Sequence, residues 1–129
     1  MLQKSPIYAY IPAQDLERAR NFYEKKVGLK PDQQINGGVA YEFSGGTAAF
    51  LYPTPYAGTS KASQAFWQVP DIEAEVAELK KRGIKFEEFD VPGMKTVNGI
   101  ATGGGAKAAW FKDSEGNTMA VIQSLTNGE

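Results

Sequence analysis

From Pro6 to Ile11 the chain is apolar and β-rich, and an extended reading puts Ile7, Ala9 and Ile11 on one face, Tyr8 and Tyr10 on the other. The spacing then changes: Leu16, Ala19, Phe22, Tyr23 and Val27 recur at helical intervals. Asp15 is suited to cap that helix, and Glu17 sits in its positive first turn. Lys25 and Lys26 favour the far end, and Gly28 can take the left-handed stop. The pattern returns half a chain later. Gln64–Val69 reads as a strand, with Gln64, Phe66 and Gln68 on one face and Ala65, Trp67 and Val69 on the other. A helix follows from about Asp71 to Arg82, with Ile72, Val76 and Leu79 as its buried stripe and Gly83 at its end. Asp15 and Asp71 lie 56 positions apart, and Gly28 and Gly83 lie 55 apart, which reads as a divergent duplication.

Three strands are expected after the first helix, around Lys30–Gln34, Val39–Phe43 and Thr47–Tyr52, with Gly37-Gly38 and Gly45-Gly46 as turns. Pro53–Ser63, rich in Pro, Gly and Ser, reads as a connector. After the second helix a strand is expected near Ile84–Phe89, then a long loop through VPGMKTVNGIATGGGAK. Strands at Ala108–Lys112 and Thr118–Gln123 come next, joined by the turn DSEGN. Each half is thus βαβββ. The expected fold is α+β, one domain over 1–129, with two tandem modules forming a curled mixed sheet around a cleft. Module one spans about 5–53, the linker 54–63 and module two about 64–125. One helix can cover only one face of such a sheet, so the other face must meet a partner, and a site is expected there.

Composition narrows the chemistry. With 14 basic and 15 acidic residues and no basic run, binding through phosphate neutralisation is not expected, so nucleic acid is excluded as a partner. The absence of Cys removes disulfides, thiolate nucleophiles and zinc–sulfur sites. There is no His, the side chain most used as a general base near neutral pH. No apolar run approaches 18 residues and the N-terminal stretch has no signal-like apolar core, so no membrane partner and a cytoplasmic protein are expected.

Several positions are candidates for a site. If Tyr8 faces the cleft, Tyr10 does too, and Gln64 and Phe66 by the same rule in the second half; together they would give a cavity aromatic walls with hydroxyl and amide handles. They could equally fill a vestigial cleft. Glu42 is the one acid in an apolar strand region and reads either as a cleft acceptor or as a solvent-facing carboxylate. Glu87, Glu88 and Asp90 read as a solvated acidic edge. One of Trp110 and Phe111 must face the cleft, and the sequence leaves open which. GGGAK at 103–107 fails as a phosphate loop, because Ala106 separates the glycines from Lys107 and a strand follows. Residues 92–106 then read as a lid or hairpin with Met94, Val97 and Ile100 beneath it, or as a mobile loop.

Three phrases, IPAQDLERARNFYEKKVGLKP, QVPDIEAEVAELKKRGIKF and WFKDSEGNTMAVIQ, occur in an order and spacing that resemble the vicinal oxygen chelate superfamily over nearly the full chain. That superfamily includes glyoxalase I, bleomycin-resistance proteins, fosfomycin-resistance enzymes and extradiol dioxygenases. The resemblance implies a homodimer and four metal-ligand positions, which here fall on Tyr8, Gln64, Ala120 and either Ala49 or Phe50. Only Gln64 offers a ready donor, since Tyr would have to lose a proton with a pKa near 10, and Ala and Phe cannot ligate. No metal and no cofactor are therefore expected. The expected function is small-molecule binding, with Tyr8, Tyr10, Glu42, Phe50, Gln64, Phe66, Trp110 and Ala120 around a small organic ligand. The alternatives are a metal-dependent lyase, isomerase or dioxygenase with non-standard ligands such as Gln64 and Glu42, metal-free proton transfer by Tyr8, Tyr10 or Glu42, and a structural dimer with a filled cleft.

Overall fold

Asp15 and Asp71 both cap helices: each is extended and accepts a hydrogen bond from the backbone N–H three residues on, Arg18 at 3.0 Å and Ala74 at 3.1 Å. The structure, a computed structural model, describes residues 1–35 and 37–125. It is a mixed α+β fold with two mixed sheets, in two units. The first unit is Met1–Ser60 with Ser114–Asn117, and the second is Lys61–Asp113 with the chain from Thr118 onward. Among the described residues no helix is long and apolar enough to cross a membrane.

In the first unit, β1 (Ala9–Ala13) leads to α1 (Leu16–Asn21), which continues through Phe22–Val27 as a wider π-type segment. Gly28 closes it in the left-handed conformation at φ 91°. Then come β2 (Gln33–Ile35), β3 (Gly38–Glu42) and β4 (Ala48–Pro53). The sheet runs β1-β4-β3-β2, with β1 parallel to β4 and the other pairs antiparallel. Ile11, Ala13, Val39, Tyr41 and Leu51 are buried, as are Ala19 and Tyr23 of the helix. Tyr41 keeps its hydroxyl satisfied by donating to Glu24 at 2.8 Å, and Glu24 also accepts from Arg20. Burial first, then Glu24, pushes the Tyr41 phenol well above its ordinary pKa.

Strand β1 starts three residues later than the apolar run, and this corrects the placement of Ile7. Ala9 pairs with Ala49 and β4 begins at Ala48, so Ile7 lies beyond the ladder and is 89% exposed rather than in the core.

The turn DSEGN does more than join two strands. Its Glu115 side chain is wholly buried within the first unit, where it accepts from the backbone N–H groups of Gln14 and Asp15, both at 2.9 Å. Arg18 grips the same carboxylate with two nitrogens, Nε at 2.8 Å and Nη2 at 3.0 Å. Asn117 reaches the carbonyl of Pro12 at 2.8 Å and accepts from the backbone of Gly58 at 3.2 Å. Gly58 has φ +75°, and a Cβ there would stand 2.4 Å from the Glu115 carbonyl oxygen. Gly58→Ala is therefore expected to cost about 2 kcal/mol or more in urea unfolding. A variant as stable as the parent would mean that this approach is not tight.

The second unit holds β5 (Ser63–Gln68), α2 (Ile72–Lys81), β6 (Asp90–Val91), β7 (Met94–Val97), β8 (Ile100–Gly103), β9 (Ala106–Lys112) and β10 (Thr118–Ser124). Its sheet runs β5-β10-β9-β8-β7-β6, with only β5 and β10 parallel. Ile72, Val76 and Leu79 are buried as the helical stripe requires, with Ala109, Phe111, Met119 and Val121 of β9 and β10.

Two expectations are corrected here. Residues 84–89 form no strand but one isolated bridge, Phe86 to Phe111, because β8 takes the adjoining length of β9 from Ala106 to Ala108. The long loop is instead a meander of β6, β7 and β8, with two-residue turns at Pro92-Gly93, Asn98-Gly99 and Gly104-Gly105. Asn98 at φ 56° and Gly99 at φ 85° are both left-handed, the pair that a tight hairpin demands. Of the loop's three expected underside residues, Val97 is 65% exposed, while Met94 and Ile100 are half-buried.

Candidate functional site

Register determines which side chains share each sheet face. In the first unit Tyr10 lies opposite Phe50, Phe50 opposite Ala40, and Ala40 opposite Gln33, one row across all four strands. This row is on the face away from the buried Ile11, Tyr41 and Leu51. Tyr10 is 62% exposed, and its ring meets Phe50 edge-on at 5.9 Å and Tyr52 at 5.0 Å. Between the larger side chains the face is built from Gly38, Ala40 and Ala48. A side chain at Gly38 could not be accommodated, since its Cβ would lie 2.8 Å from the Phe50 ring and 2.3 Å from the Leu51 carbonyl oxygen. Small residues below and large ones around leave a basin of about 390 Å³, lined by Tyr8, Gln33, Ile35, Glu42 and Phe50 among others.

The second unit repeats the row with different contents. Phe66 lies opposite Ala120, and Ala120 opposite Trp110. Phe66 is 59% exposed and Ala120 is 1% exposed, so an open aromatic ring flanks a buried methyl. Trp110 is half-buried on this face, edge-on to Phe89 at 5.8 Å, while Phe111 is fully buried on the helix side and stacks on Trp67. That settles the orientation of the Trp110–Phe111 pair. Gln64 is exposed and falls at a bulge, where Thr118 pairs with Ser63 but Met119 pairs with Ala65. A smaller recess of about 280 Å³, lined by Met94, Lys95, Ala101, Ala108 and Trp110 among others, adjoins this row.

The eight sequence candidates thus divide evenly: Tyr8, Tyr10, Glu42 and Phe50 gather on one face of the first unit, and Gln64, Phe66, Trp110 and Ala120 on one face of the second. Because Tyr10 and Phe66 stand 56 apart, as the capping Asp residues do, their partners Phe50 and Ala120 are equivalent positions. The fourth implied chelating position is therefore Phe50 rather than Ala49, whose side chain is buried on the opposite face. A phenyl ring and a methyl group offer a divalent ion no donor. Among the described residues no three His, Cys, Asp or Glu side chains gather as a metal-binding group.

Sequence reading passed over Tyr52, Gln33 and Ala40. Tyr52 was legible by the same alternation that marks Phe50, whereas Gln33 and Ala40 enter only through cross-strand register.

Comparison with known proteins agrees with this geometry. The family profile described as Glyoxalase/Bleomycin resistance protein/Dioxygenase superfamily matches residues 7–121. No curated protein matches the chain. Among solved structures, UcmS2 superposes with a TM-score of 0.70 at 14% identity, covering 91% of this chain and 97% of that one. A glyoxalase/bleomycin resistance protein/dioxygenase from Alicyclobacillus acidocaldarius gives 0.69 at 17% identity, with 96% and 97% covered. TnmS3, an antibiotic binding protein from Streptomyces sp. CB03234, gives 0.64 at 21% identity, with 94% and 98% covered. At these identities the likeness is one of fold.

Proposed function

As the chain belongs to the Glyoxalase/Bleomycin resistance protein/Dioxygenase superfamily, we propose that it binds a small organic molecule on the open faces of its sheets, as a homodimer in the cytoplasm and without the family metal. The observation that carries this reading is the aromatic row of the first unit, with Tyr10 exposed and Phe50 and Tyr52 half-buried. Tyr10, Phe50 and Tyr52 pack edge to edge beside a floor of Gly38, Ala40 and Ala48, yet Tyr10 remains mostly open. A ring cluster that size stays in water at a cost unless something covers it. The basin beside it falls within the range of small-molecule sites, about 300–1,000 Å³. The fold is also that of TnmS3, itself an antibiotic binding protein.

Chelation is disfavoured by the side chains themselves, since Phe50 and Ala120 occupy equivalent positions in the two copies and neither can coordinate. In the first unit Tyr8, Tyr10 and Phe50 supply ring contacts and Glu42 a polar handle; in the second unit Phe66 and Trp110 supply the rings and Gln64 the handle. Ala120 contributes space rather than contact.

A thermal-shift screen of aromatic and amphipathic compounds against the pure protein tests the reading. Hits are expected, and Phe50→Ala should weaken the best of them about tenfold, or about 1.4 kcal/mol. A screen without any stabilising compound would count against binding. Metal analysis after dialysis should find no stoichiometric divalent ion, and finding one would favour a metal-dependent enzyme instead.

A further inference from the structure

The basin of the first unit differs in its charge from two concavities of the second unit. Asp32 and Glu42 both line it, and no Lys or Arg does among the described residues. The recess beside Trp110 carries Lys95. The groove between α2 and the β7–β8 hairpin, about 620 Å³, carries Lys80 and Lys95 together with Glu73. Three aromatic side chains, Tyr8, Phe43 and Phe50, share the basin with the two acids. Glu42 is exposed and its carboxylate meets no cation among the described residues, unlike those of Glu24, Glu73, Glu87 and Glu115.

Register explains how acids and rings come together. Glu42 lies opposite Ala48 at the end of β3, on the face that carries Ala40 and Phe50. Asp32 donates its backbone N–H to Ala40 at 2.8 Å, which fixes it at the head of β2 beside Gln33. A neutral apolar guest would gain only the rings and the small-residue floor. A guest with a protonated amine would also meet two carboxylates and the negative faces of the rings.

We propose that the first-unit basin selects an organic cation, an amine- or guanidinium-bearing molecule with an aromatic or apolar body. Its charged head lies toward Glu42 and Asp32 and its body against Phe50 and Tyr8. The proposal rests on the binding reading above and adds the sign of the ligand's charge.

Three probes of one shape test it: naphthylmethylamine, naphthylmethanol and naphthoic acid, titrated into the whole protein by calorimetry at low salt. The amine is expected to bind about tenfold more tightly than the alcohol, and the acid more weakly than both. Glu42→Gln, an exposed change that leaves the core alone, should reduce amine binding about fivefold and narrow the preference for the amine over the alcohol. Asp32→Asn should act in the same direction, and Phe50→Ala should weaken all three probes. Equal binding of the three, or a Glu42→Gln variant with unaltered preference, would overturn charge selection while leaving small-molecule binding intact. No binding by any probe would overturn both.

Discussion

Replacing Glu115 with alanine is expected to destabilise the protein by about 2–3 kcal/mol, the cost of taking a charged acceptor from hydrogen-bond donors at the head of α1 while the half-exposed Arg18 returns to water. The side chain has no solvent exposure, and its two oxygens satisfy the first backbone N–H groups at the head of α1, the fork of Arg18 and the hydroxyl of Ser114. Alanine would leave all of these donors without their acceptor, while the Asp15 cap persists. Urea unfolding should show a lower midpoint with an unchanged slope. The same site makes stability depend on acid. Burial works to raise the Glu115 pKa, but hydrogen bonds from Arg18, Asp15 and Ser114 outweigh it and hold the carboxyl at about 2, against an ordinary 4.5. A folded-state pKa below the unfolded one adds stability that is complete above about pH 4.5 and is lost as pH falls toward 2. Glu115→Gln should therefore flatten the acid limb of a stability–pH curve. An equal slope in parent and variant would place the acid sensitivity elsewhere.

Phe111→Ala is expected to cost about 3–5 kcal/mol, a drop of about 10–20 °C in Tm. The ring is fully buried, lies parallel to Trp67 at 6.4 Å, and takes Phe86 edge-on at 5.5 Å. Its loss would open a cavity where β5, β9 and the Phe86 bridge meet. Trp110→Ala, one residue earlier on the open face, should cost less than half as much although the side chain is larger. Similar losses at both positions would contradict the facing assigned to this strand.

These two residues also mark what the chain discloses before folding. Helix caps were legible because they are local: Asp15 and Asp71 act on groups three residues away. The alternation at Tyr8 and Tyr10 was legible too, but the strand's true start was not, because it depends on where β4 begins. At 92–106 a hairpin was one reading, but the three-strand meander was not, although Asn98-Gly99 is among the strongest hairpin signals in any sequence. A run of glycines nearby drew the reading toward a loop. Which of Trp110 and Phe111 faces inward could not be read from alternation alone, which gives opposition without direction. Glu115 in DSEGN looked like turn polarity, because its partners at Gln14, Asp15 and Arg18 lie about a hundred positions away. Of the candidate site, the aromatic members were readable and the small-residue floor was not, since a basin is defined by what is missing across neighbouring strands.

The seat of Glu115 has a consequence for the order of synthesis. The carboxylate that completes the head of α1 is made 100 residues after the Asp15 that it serves, once α2 has already been translated. A ribosome-bound chain halted after its first copy would carry Arg18 and the open turn at Gln14 with no anion to meet them. The head of the first helix is thus completed by a turn that only the second half of the chain carries.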